Sequence, residues 1–171
     1  MSEEDLVWKG KIKAVGIFNF KDAYQYVYNS LIDEDYLVHE TKYIEKVLKD
    51  GESKDVEAFW TATRTMSNYF KFQIKVQYLI LGMKKVKVKR DDREVTMQSG
   101  SYEIRFNAVL IKDPGSKWEN SLFKKFRRIY DRYIIKNRIE DHELRLYQQV
   151  NEIIANAKSF LAIEGQHNYF Y

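Results

Sequence analysis

A chain of 171 residues, 44% of them hydrophobic, is long enough to enclose one sizeable core, and the absence of cysteine excludes disulfides, thiolate metal sites and thiol nucleophiles. The three histidines, His39, His142 and His167, are too far apart for the usual metal-ligand spacings, so no metal or other cofactor is expected. The net charge of +4 hides an uneven distribution: residues 61–138 hold 19 Lys/Arg against 7 Asp/Glu, a local +12, while the segments on either side are net acidic.

Residues 1–6 are acidic and lack the basic-then-apolar order of a signal peptide, and no window approaches 18 consecutive apolar residues. The expectation is a disordered acidic N-terminus over 1–6, one domain over 7–163 and an aromatic tail over 164–171, in a soluble cytoplasmic protein. One proline, seven glycines and no cysteine also fit a heat-adapted intracellular chain.

Trp8 to Phe18 alternates, with Trp8, Gly10, Ile12 and Ala14 on one side and Lys9, Lys11 and Lys13 on the other, which predicts a strand with one wet face. Asn19 with Asp22 three residues on predicts a helix over Phe20–Ile32, buried along Phe20, Tyr24, Val27, Tyr28 and Leu31. Asp33, Glu34 and Asp35 then carry the wrong sign for a helix C-terminus and are expected to point into solvent. A meander follows. Strands are predicted over 36–48 and 56–66 around the Asp50-Gly51 hairpin signal, then from Phe70 to Ile80 in the cleanest alternation of the chain. Gly82 marks a break, followed by short strands over 84–89 and 94–98, and the last inner face is Tyr102, Ile104, Phe106, Ala108 and Leu110.

After Asp113-Pro114-Gly115 the pattern turns helical from Ser116 to Leu161. Leu122, Phe126, Ile129, Tyr130 and Tyr133 form one apolar stripe, and Ile139, Leu146, Val150, Ile153, Ala157 and Phe160 form a second on a different side. Either the helix breaks at Asn137, where Asn137 and Glu140 have the types of a capping box, or its halves serve different surfaces. The predicted fold is α+β: strand, helix, an antiparallel meander of five or six strands, then two helices, with three helices over one face of the sheet.

This order of elements resembles the helix-grip group, the START-like and plant-allergen-like proteins, over most of the chain, with a single helix after the first strand in place of the usual pair. The resemblance implies a cavity for an apolar ligand between the sheet and the last helix. Trp8-Lys9-Gly10 and Phe18-Asn19-Phe20-Lys21-Asp22 are also similar to segments of small archaeal proteins.

Three functional readings follow. Lys124, Lys125, Arg128 and Arg132 on the helix and Lys85, Lys87 and Arg90 on a hairpin would bind an anionic partner, structured RNA or a ribosome; the bland alternative is a solvated helix face and a charge-guarded edge. Ile139, Leu146, Val150, Ile153 and Phe160 would support a homo-oligomer if the helix ran unbroken, or pack on the sheet if it breaks. Trp60, Phe72 and Phe106 would line the apolar-ligand cavity, or fill the core. The acids at turns, His39 and His142 are expected to be structural, and Tyr169-Phe170-Tyr171 to fold back on the domain. No nucleophile, base or phosphate loop assembles in the pattern, so a non-enzymatic binding protein is expected.

Overall fold

The computed structural model describes residues 2–90, 93–115 and 129–164, the side chains of 90, 93 and 162–164 excepted. Five strands form one antiparallel sheet: β1 (Glu3–Phe18), β2 (Leu37–Val47), β3 (Lys54–Thr65), β4 (Phe70–Arg90) and β5 (Arg93–Lys112), in the spatial order β1-β5-β4-β3-β2. Among the described residues two helices, α1 (Phe20–Asp33) and α2 (Lys136–Glu164), pack on one face, with a π-helical turn at Tyr130–Ile134 ahead of α2; most of the third helix expected between Ser116 and α2 lies outside the described residues. The α+β class and the antiparallel meander are as expected.

The strand count is lower than the five or six expected after α1, because Gly82 does not end a strand. β4 and β5 run through it as strands of 21 and 20 residues, with a register shift between Leu81 and Lys84. Gly82 takes a left-handed φ of +61° and its N–H donates to Asp55 Oδ1 at 2.8 Å, so the bulge has both a permissive residue and a partner. Opposite it, a Cβ on Gly100 would lie 2.9 Å from the carbonyl oxygen of Leu81, and only glycine fits.

The N-terminus also differs. Residues 3–6 are not a disordered extension: they pair with Val109 to Lys112 of β5, and Lys112 Nζ holds Asp5 at 2.9 Å and Glu3 at 3.5 Å. A short acidic stretch is thereby matched to a cation at the end of the neighbouring strand.

The core face collects the residues that the alternation predicts. Ile12, Ala14, Ala58, Trp60, Ala62, Phe72, Ile74, Val76, Tyr78, Phe106, Ala108 and Leu110 are all buried. Alternating large rings and alanines let the helices sit closely on the sheet. Trp8 lies over Gly10, where a Cβ would stand 2.1 Å from the indole ring.

Asn19 caps α1 through its side-chain oxygen, which accepts from Asp22 N–H at 3.3 Å. At the other end Asp35, with φ of 59°, closes a Schellman turn: its N–H reaches Ile32 O and that of Tyr36 reaches Leu31 O. The acids beyond this helix are not simply solvated. Arg64 holds Asp35 at 3.1 Å and Glu34 at 3.7 Å, and Gln149 of α2 donates to Glu34.

The two-stripe problem resolves by a break, at Ile135 rather than Asn137. Ile135 N–H donates to Tyr130 O, its own carbonyl accepts the first α2 bond from Ile139 N–H, and its ψ of 12° leaves the helical region. Asn137 stands inside the first turn of α2. After the break, Leu146, Val150, Ile153, Ile154, Ala157 and Leu161 are buried in the core. The first stripe is not buried as a unit. Tyr130 packs against the core, but Ile129 is 55% and Tyr133 72% exposed; Leu122 and Phe126 lie outside the described residues.

Candidate functional site

The long hairpin of β4 and β5 outruns its neighbours. β3 pairs with β4 only as far as Met83, and β1 follows β5 only to Gln98. The pairs from Val86↔Met97 to Arg90↔Arg93 therefore form a two-stranded ribbon whose outer edges pair with no other strand among the described residues, projecting about 17 Å at 3.4 Å per residue. Lys87 and Lys89 are exposed along it, and Lys84 and Lys85 are exposed at its root. Lys87 meets Glu94 at 3.3 Å, an ion pair with both side chains largely in water and so of little weight. Among the described residues Lys84, Lys85 and Lys89 have no acidic partner, and the Arg90 side chain lies outside those described.

At the root of this arm the bulge opens a groove of about 670 Å³. Phe20 and Met83 give it an apolar floor; Lys21, Lys54, Lys84 and Lys85 line it, with Glu52 as its acid and Gln98 beside Phe20. Gln98 accepts the Phe20 N–H at 3.0 Å through its carbonyl oxygen, which fixes the amide and leaves its NH₂ without a partner among the described residues. Lys54 is engaged with Glu45 at 2.7 Å, a contact that lowers the Glu45 carboxyl below its usual range. Sequence reasoning missed this groove, because the strand end expected at Gly82 separated Met83 and the lysines from the preceding strand, whereas β4 runs through it.

The cations predicted on the helix are not brought to the arm. Arg132 sits in the π turn beside Asp131, which accepts from Tyr69 O–H at 2.5 Å at the opposite end of β4. From Tyr69 to Lys85 is about 50 Å along a strand, so Arg132 and the hairpin lysines form no common local patch. Arg132 lies instead over the ring of Tyr133 at 5.7 Å. Lys124, Lys125 and Arg128 lie outside the described residues.

The face of the sheet away from the helices carries a second, shallower groove, lined by Lys9, Lys11, Gln77, Arg105 and Asn107. Glu103 neutralises part of it, holding Arg105 and Lys11, the latter at 3.6 Å. Burial would raise the Glu103 carboxyl, but these two cations outweigh it and hold the group below its usual range.

The other two sets of predicted site residues are structural. Leu146, Val150 and Ile153 are 0, 1 and 4% exposed under the sheet, Ile139 packs at its margin, and Phe160 stacks on Tyr26 at 4.4 Å, so this stripe is not a surface for another chain. Trp60, Phe72 and Phe106 are likewise buried. The space left between sheet and helices beside Phe18, Tyr78, Tyr102 and Leu161 is about 10 Å³, the size of one water rather than a carried ligand. Trp60 is fixed by polar contacts: its Nε1–H donates to Tyr24 Oη at 2.8 Å and to Glu40, whose carboxylate also accepts from Tyr24. Burial and that carboxylate push the Tyr24 phenol well up.

His39 is exposed on the edge strand β2. His142 lies against Phe70 at 4.4 Å in a pocket with Tyr69, Tyr130, Arg138 and Asp141. Burial, reinforced by Arg145, holds its imidazole below the usual 6.5. Among the described residues no group of three or more His, Asp or Glu side chains is placed to hold a metal ion, and no helix is long and apolar enough to cross a membrane. Comparison with protein-family models, with curated proteins and with solved structures finds no match to this chain.

Proposed function

We propose that this chain is a non-enzymatic RNA-binding protein whose β4–β5 arm docks on the phosphates of a structured RNA, free or on a ribosome. The carrying observation is the arm itself: a ribbon beyond the sheet with Lys87 and Lys89 along it and Lys84 and Lys85 at its root, of which Lys84, Lys85 and Lys89 have no acidic partner among the described residues. From 84 to 94 the hairpin sequence carries six Lys/Arg against three Asp/Glu, a net excess of cation for phosphates, and each phosphate neutralised releases condensed counterions. A ribbon free on both edges also approaches a backbone without the bulk of the domain behind it. Folded RNA offers this arm its shallow minor groove and its loops, since the major groove of A-form RNA is too narrow for protein side chains.

Binding to an RNA hairpin, followed across a salt series, tests the reading. The wild-type affinity is expected to fall linearly on a log–log plot. Alanine at Lys84, Lys85, Lys87 and Lys89 together should flatten that slope by about 3, at roughly 0.7 to 0.9 per phosphate contact. An unchanged slope and affinity would remove the arm from the interface.

A further inference from the structure

We infer that the groove at the root of the arm holds one unpaired nucleotide of the RNA strand, with its base against Phe20 and Met83 and its phosphate against Lys84 and Lys85. The inference rests on the reading of the arm as an RNA-binding element and adds a site that the arm alone does not supply. The groove's volume of about 670 Å³ falls within the range of small-molecule sites, roughly 300 to 1,000 Å³. Its chemistry is divided as a nucleotide is divided. Phe20 and the largely buried Met83 make the floor apolar, and the partly exposed Phe20 ring, held in place against Tyr24 at 5.3 Å and Tyr78 at 6.5 Å, suits a stacked base. The rim is cationic: Lys21, Lys84 and Lys85 carry no acidic partner among the described residues, against the single carboxylate of Glu52. Between floor and rim stands Gln98, whose carbonyl is already spent on Phe20 N–H and whose NH₂ is therefore presented as a donor in a fixed orientation. Such a donor suits the carbonyl edge of a base. A base inside a duplex is stacked and paired and cannot enter, so the groove selects single-stranded segments beside the helix that the arm follows.

The test uses the full chain with two probes: a 12-nucleotide oligouridylate carrying one 4-thiouridine, and a blunt 12-base-pair RNA duplex. Gln98→Glu keeps the acceptor for Phe20 N–H while replacing the donor by a carboxylate oxygen, and Lys21→Glu reverses an exposed charge on the rim; thermal unfolding checks that both variants fold. Each is expected to weaken the single strand about tenfold while changing duplex affinity by less than about twofold, and photocrosslinks should map to Phe20 or Met83. Equal losses on both probes, or crosslinks confined to residues 86–97, would overturn the groove and leave the arm standing. No salt-dependent binding of either RNA would overturn both.

Discussion

The two halves of β4 have the same alternating pattern and opposite fates. From Phe70 to Ile80 the strand lies between β3 and β5, and every second side chain is sealed beneath the helices. Beyond Met83 it keeps only β5 as a neighbour; the valines at 86 and 88 are partly exposed, and the intervening lysines stand in water. Alternation identifies a strand, but the neighbouring elements decide whether its apolar side becomes core. The first half provides stability, its whole inner face being core. The second provides surface and contributes little stability, which is the condition under which a charged arm can be spent on a partner.

Substitutions should separate the halves accordingly. Phe72→Ala or Phe106→Ala removes a fully buried ring and is expected to cost about 3 to 5 kcal/mol in denaturant unfolding, against under about 1 kcal/mol for Val88→Ala in the arm. Similar costs in both places would mean that the arm is packed into the domain. Leu146→Ala should cost about 2 to 5 kcal/mol, whereas Leu144→Ala, on the exposed side of the same helix, should stay within about 0.5 kcal/mol. A near-neutral Leu146→Ala that instead changed the oligomeric state would restore the stripe as an interface.

Between the halves lies the bulge. Gly100→Ala places a methyl group against the carbonyl of Leu81 and is expected to cost about 1 to 3 kcal/mol by calorimetry. It should weaken RNA binding as well, because the groove and the direction of the arm both start there. A stable Gly100→Ala protein with unaltered binding would separate the bulge from function.

The smallest expected effect is one of pH. His142 is held below its usual 6.5 by burial, so the folded state favours the neutral ring and the unfolded chain takes up the proton first. The resulting stability is complete above about 6.5 and is lost as the pH falls through the folded value. His142→Gln should remove that part of the pH dependence below about 6.5 and leave the affinity of the distant arm unchanged. An identical pH profile in the variant would assign the dependence to other groups.

Much of this could be read from residue order. The period-two pattern placed Ile12, Phe72, Phe106 and Leu110 on the buried face, and Asn19 with Asp22 marked the start of α1 to the residue. What escaped was decided between elements distant in sequence. Asp55 satisfies Gly82 and turns an apparent strand end into a bulge, and Arg64 collects the acids at the end of α1. Lys112 draws the acidic N-terminus into the sheet. The groove belongs to the same class, since Phe20, Met83 and Gln98 meet only after the meander has formed. The helix break was legible, but Ile135 has no residue type that announces a cap, so Asn137 attracted the prediction two residues late.

Titrating an RNA hairpin into ¹⁵N-labelled protein and following the amide resonances decides whether the arm or the far end of the domain meets the RNA. The largest shifts should fall in residues 84–90 and 93–98, fade as salt is raised, and extend to Phe20 and Lys21 when the hairpin carries an unpaired loop. Shifts confined to residues 129–138, with the arm unchanged, would contradict a role for the arm.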